Sequence, residues 1–156
     1  MRTKCALAAV LGLLALMAGW RPAQGGDSLY GKVTEVKGAN VVTFDYGAGQ
    51  YQVRLIGIET AKDTRVDDDA VKLTSKLVLG KNARLRFEGR DQDGVMWARL
   101  FTDDPELGIK DVALELVRAG LAQRREGFDF KYGELAAAES EARAAHRGLW
   151  SERQPR

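Results

Sequence analysis

The chain has 156 residues, 45% of them hydrophobic and 29% charged, the length and composition of one globular domain. With 24 basic and 22 acidic residues the formal charge is only +2, which excludes a strong global pull on a polyanion. The single cysteine, Cys5, excludes a disulfide framework and a cysteine–zinc cluster.

Arg2 and Lys4 precede an apolar run over residues 5–19, and Ala23-Gln24-Gly25 sets small residues at the two positions a signal peptidase reads. This order predicts a signal peptide over residues 1–25 and a mature domain over 26–156, secreted or periplasmic. The run is shorter than the roughly 20 residues a bilayer core requires, which favours a cleaved leader over a transmembrane anchor. Cys5 stands at the start of the run rather than just after it, against a lipid anchor. The leader carries Arg2, Lys4 and Arg21 and no acid, so its loss leaves 21 basic against 22 acidic residues. Nucleic-acid binding by the mature domain then needs a local basic patch.

In the mature part, residues 29–36 and 41–46 are rich in β-branched and aromatic residues and flank a turn at Lys37-Gly38-Ala39-Asn40. Asp45-Tyr46-Gly47-Ala48-Gly49-Gln50 reads as the next hairpin turn, leading into a strand that ends at Ile58. In that strand Val53, Leu55 and Gly57 fall on one side and Arg54, Ile56 and Ile58 on the other. A helix follows, with Asp67-Asp68-Asp69 at its start, Ala70, Leu73, Leu77 and Val78 on its apolar face, and Gly80 as its stop.

Two further strands span residues 82–88 and 95–101. Asp111 can cap a second helix with Val112, Leu116 and Val117 on its core face and Gly120 as its end. A third helix is expected over residues 133–147, with Leu135, Ala138, Ala142 and Ala145 in one stripe, Gly148 as its stop, and Leu149 and Trp150 packed beneath. Five strands in a 3 + 2 arrangement, with a helix between the third and fourth, predict an α+β fold: a five-stranded OB-fold β-barrel with three helices.

The most informative segment is Val53-Arg54-Leu55-Ile56-Gly57-Ile58-Glu59-Thr60-Ala61-Lys62. It resembles the R-L-x-x-x-D-T-P-E signature of the staphylococcal-nuclease-like (thermonuclease) family. Residues 116–122 and 138–150 resemble the same family, so the likeness covers nearly all of the mature chain. It implies a phosphodiesterase cleft in which acids hold one Ca²⁺, two arginines grip phosphate and a glutamate activates water. Cations and donors are needed there because the attacked phosphorus gains charge.

Position by position, the resemblance implies an altered site. Arg54 keeps the first phosphate-binding arginine. Lys62 stands where the general base is expected and Val95 where the second arginine is expected. The metal positions fall on Asn40, Glu59 and Thr60, with Asn40 an amide in place of an acid and Gly38 and Val41 replacing further motif residues. Residue type alone also makes Gly38-Ala39-Asn40 a good hairpin turn. A protonated Lys62 about 4 Å from Ca²⁺ would be repelled by about 8 kcal/mol at an effective dielectric of 20, and Asp63 could restore an acid only if the loop shifted. Arg99, four residues beyond Val95, lies about 13 Å further along the strand, too far to replace the lost arginine.

The residues around Arg124-Arg125, with Phe128 and Phe130, could hold a single strand by charge and stacking, or form a solvated loop over buried aromatics; Glu126 falls where the family has tyrosine. His146, the only histidine, reads as decoration on the last helix, and the acidic triplet 67–69 as a solvated helix start. The reading is therefore a monomeric, non-catalytic module with no cofactor, binding nucleic acid, another anionic ligand or a protein, with Arg54 and Lys62 as its ligand-binding residues. The alternative is a divergent Ca²⁺-dependent nuclease acting on DNA or RNA.

Overall fold

The computed structural model of the chain describes residues 28–61, 64–106, 108–128, 130 and 133–151. The leader expected over 1–25 lies outside the described residues, as do Lys62 and Asp63. No described helix is long and apolar enough to cross a membrane.

Strand β1 (Ser28–Gly38) turns at Ala39-Asn40 into β2 (Val41–Asp45), and β2 turns through Gly47 and Gly49 into β3 (Gln50–Leu55). Asp45 Oδ1 accepts the Gly47 N–H at 2.9 Å, which closes the second turn with a side chain. β3 stops three residues earlier than periodicity predicts. At Gly57 the backbone turns to φ +79°, a left-handed conformation glycine adopts without strain. A Cβ there would lie 2.9 Å from Leu135 Cδ1 and 3.3 Å from the Phe130 ring, so packing also demands glycine. The bend puts Ile58 in the core and starts a separate short strand, β4 (Ile58–Thr60).

Helix α1 (Thr64–Val78) begins before the acidic triplet, so Asp67 to Asp69 lie within its first turns rather than capping it. Asp67 still sits in the first turn, where the helix dipole favours an acid. Ala70, Leu77 and Val78 are buried, and Gly80 follows the helix at φ +71°. β5 (Asn82–Arg90) and β6 (Met96–Thr102) form the third hairpin. Its turn is built on Asp91, whose Oδ1 accepts the N–H groups of Asp93 at 3.0 Å and Val95 at 2.9 Å.

α2 (Val112–Arg118) starts at Asp111, whose Oδ1 accepts from the Ala113 and Leu114 N–H groups, as its sequence position predicts. β7 (Ala122–Arg124) pairs antiparallel with β4 in a two-stranded ribbon that periodicity did not reveal. α3 (Glu134–Ala144) is shorter than expected, which leaves Ala145 exposed and off the buried stripe of Leu135, Ala138 and Ala142. His146 follows it, exposed, at φ +51°. A 3₁₀ turn at Gly148–Trp150 folds back on α2, the Leu149 N–H donating to Gly120 O at 2.8 Å.

The strands close in the order β1-β2-β3-β6-β5, with β3 and β6 parallel and the other neighbours antiparallel. That is the five-stranded OB-fold barrel with three helices that the element order predicts. Val33, Val42, Phe44, Val53, Leu55, Leu85, Met96, Ala98 and Leu100 fill its interior. Leu116, Val117 and Leu135 from α2 and α3 extend the same core past the barrel.

Candidate functional site

A cleft of about 440 Å³ opens where β3 leaves the barrel, lined by Asn40, Val41, Arg54, the 55–60 segment, Trp97, Arg125 and Phe128. Its floor is tied together by backbone. The Leu55 N–H donates to Asn40 O at 2.9 Å, the Ile56 N–H to Ala98 O at 3.2 Å and the Arg125 N–H to Gly57 O at 3.0 Å. The buried Thr74 hydroxyl donates to Ala39 O at 2.8 Å, anchoring the first hairpin turn to α1. The positions of Asn40, Arg54 and Arg125 are thus fixed from three directions.

Arg54 projects from the exposed side of β3, between Val41 of β2 and Trp97 of β6 in the ladder. The structure therefore brings together the retained arginine and all three predicted metal positions, Asn40, Glu59 and Thr60, on one cleft. Lys62 lies outside the described residues. Val95 is half-buried in the 91–96 turn, where Asp91 holds its N–H, and is not among the cleft residues.

Three cleft residues were not placed there by motif comparison. Arg125 reaches across from the end of β7, its Nε 3.7 Å from Glu59 Oε1. Trp97 and Phe128 stand 41% and 39% exposed, unusual for rings of that size, and both face the cleft. The cluster of Arg125 and Phe128 was visible in sequence. Its placement depends on β7 pairing with β4 (Glu59 opposite Gln123), a contact between segments about sixty residues apart. Phe130, from the same cluster, is buried instead.

Arg99 is unavailable for a reason other than distance alone. It is mostly buried, 2.7 Å from Asp111 and 3.3 Å from Glu134, with its guanidinium 3.7 Å from the centre of the Phe130 ring. Burial pushes the Asp111 carboxyl up from its ordinary value, outweighing the downward pull of Arg99 and of the Leu114 and Ala113 N–H groups. This pair is structural: it joins β6 to the starts of α2 and α3.

The resemblance implies a calcium ion, and the donors among the described residues do not fit one. Calcium takes about six to eight oxygens, several from carboxylates. The described lining supplies one carboxylate, Glu59, beside the Asn40 side chain and Thr60, and that carboxylate faces the Arg125 guanidinium. Among the described residues, no three His, Cys, Asp or Glu side chains come together at a site that could hold a metal. What the described residues of the cleft offer is two guanidinium groups and two exposed aromatic rings around one carboxylate that lies beside Arg125.

A closed OB-fold barrel with this cleft at its rim defines the class as nuclease-like OB-fold domains. Residues 52–152 match the family described as Staphylococcal nuclease homologue, which spans more than half of the chain, and the chain belongs to that family. The matched span begins after β1 and β2, so Asn40 and its turn lie before it. No curated protein matches the chain.

Proposed function

We propose that this chain is a nuclease-family module that has kept the cleft and lost the hydrolysis, and that it binds a phosphate-bearing ligand, nucleic acid foremost, between Arg54 and Arg125. The observation that carries this reading is the pairing inside the cleft: Glu59, the one carboxylate among the described residues of its lining, is 3.7 Å from Arg125. Arg54 and Arg125 can grip phosphate oxygens by their planar forks, and Trp97 and Phe128 offer π-faces on which a base can stack. The Lys62-for-glutamate and Val95-for-arginine exchanges support the same reading, since they remove the expected base and the second phosphate grip.

The experiment is incubation of the purified mature domain with labelled single-stranded DNA, with and without Ca²⁺, following both anisotropy and chain length. Binding without cleavage is expected in either condition. Arg54→Ala should weaken binding about tenfold or more, the value of a lost charge-assisted hydrogen bond. The alternative, a divergent Ca²⁺-dependent nuclease, is favoured by the convergence of Asn40, Glu59 and Thr60 beside Arg54. Calcium-dependent shortening of the DNA, abolished by Glu59→Ala, would establish it instead.

A further inference from the structure

The cleft does not end at Trp97. On the solvent side of the barrel, β6 continues from Trp97 to Arg99 and Phe101, and the strand register sets Arg86 opposite Arg99 and Arg84 opposite Phe101. One strand further, Tyr30 lies opposite Arg84 and Ser28 opposite Arg86. Residues directly opposite in a ladder share a face, which places Arg86, Arg84 and Tyr30 together. Trp97, opposite Gly89 beyond the irregularity at 87–89, lies on the same outer side of β6 as Arg99 and Phe101, and the four form one diagonal strip across β6, β5 and β1. At the usual strand rise and spacing the strip runs roughly 20 Å from the cleft.

Its chemistry is that of a single-strand track. Tyr30 is 64% exposed, with Lys32 two residues on along the same face. Arg84 lies with its guanidinium 5.0 Å from the Phe101 ring centre, a stacking that steadies the group and leaves its edge for an oxyanion. Arg86 has Glu88 at 3.4 Å, both half-exposed, a pair that water and salt screen. Arg99 contributes no free charge, being held by Asp111 and Glu134. The acids on and beside the strip are Asp45 opposite Lys32, Glu88 beside Arg86, and Asp111 and Glu134 around Arg99. The face is thus charge-balanced in total, and the groups it offers to phosphate are Arg84, stacked on Phe101, and the screened Arg86.

We infer that this outer face of β1, β5 and β6 is a second binding surface, which carries the phosphates and one base of a single-stranded nucleic acid leaving the cleft. Guanidinium groups alternating with exposed rings fit that polymer better than an acidic peptide, which would use the cations and leave Tyr30 and Trp97 idle. The inference rests on the cleft reading for the strand's starting point.

The test compares a three-nucleotide and an eight-nucleotide oligothymidylate, each fluorescein-labelled, by anisotropy at several salt concentrations. The octamer should bind at least about thirtyfold more tightly than the trimer, beyond the roughly sixfold that its six registers supply. Tyr30→Ala combined with Arg84→Gln and Arg86→Gln should reduce the gain to that sixfold and leave the trimer unchanged. It should also lower the salt slope for the octamer by about 1.4, for two lost phosphate contacts. Tyr30→Phe alone, which preserves the ring, should keep the gain, and circular dichroism confirms that each variant is folded.

A trimer that binds with no more than the register gain for the octamer overturns the strip and leaves the cleft reading standing. An octamer whose gain survives the triple variant does the same. Binding of neither length overturns both. An octamer that binds through the strip while the trimer fails would sink the cleft reading alone. Displacement of the octamer by poly-glutamate as readily as by unlabelled octamer would reassign the face to an acidic peptide and overturn the nucleic-acid assignment.

Discussion

Glu59 separates the two readings of the cleft most cleanly. As a metal ligand it would be indispensable; as the partner of Arg125 it competes with the ligand for a cation. The pair is well exposed and therefore worth at most about 1 kcal/mol. Glu59→Gln should accordingly strengthen binding of single-stranded DNA by about two- to fivefold in an anisotropy titration. Weakened binding would show that the carboxylate serves the ligand. The complementary experiment rebuilds the expected chemistry: Lys62→Glu supplies a base, Asn40→Asp adds charge for a metal, and Val95→Arg adds a second phosphate grip. Because such groups act as a unit, each single variant should be nearly silent and the triple variant should cut DNA in the presence of calcium. A folded but inactive triple variant would show that the cleft has diverged beyond these three positions.

Between the barrel and the two C-terminal helices, the connections rest on few residues. Gly57 turns the chain from β3 into β4 at φ +79°, against Leu135 and Phe130. Gly57→Ala should cost about 1–3 kcal/mol in urea unfolding through backbone strain, with additional loss if Leu135 cannot yield. Asp111 both caps α2 and holds Arg99, so Asp111→Ala should cost about 3 kcal/mol, leaving Arg99 with Glu134 alone. Its raised folded-state pKa also has a sign. Between the ordinary value of 3.8 and the raised one, the folded chain keeps a proton that the unfolded chain has lost. The contribution of this group therefore falls as pH rises through that window and is level above it. Asp111→Asn, which retains a capping oxygen, should flatten that part of the stability profile measured by urea unfolding against pH.

Across the molecule, the charge is nearly balanced while the surface is not. The 24 basic residues include Arg54 and Arg125 at the cleft and Arg84 and Arg86 on the adjoining sheet face. The expected leader shifts the balance further: without residues 1–25 the domain carries 21 basic and 22 acidic side chains. Export followed by cleavage near Gly25 should give a chain whose intact mass begins at Gly26, and an uncleaved, membrane-bound product would contradict this.

The fold was legible because its determinants are local or periodic. The β-branched and aromatic content of residues 29–36 and 41–46, the alternation from Val53, the Asp111 cap and the glycine stops at Gly80 and Gly120 each act within a turn or a strand. The errors fell where a long-range contact overrides the local pattern. Strand β3 ends at Leu55 because Gly57 must pass beneath Leu135, and α1 begins ahead of its acidic triplet.

The resemblance implies which site positions to compare, with Arg54 kept and Asn40, Glu59, Thr60, Lys62 and Val95 as the metal and catalytic positions, because each is read directly from the chain. The sequence by itself thus determined the barrel and the family likeness. Only the tertiary structure decided what fills the cleft. Arg125 meets Glu59 because β7 pairs with β4, and Trp97 flanks Arg54 because β6 lies parallel to β3. Neither pairing has a local signature, because each joins segments some forty to sixty residues apart and is stabilised only once the barrel and its helices share one core.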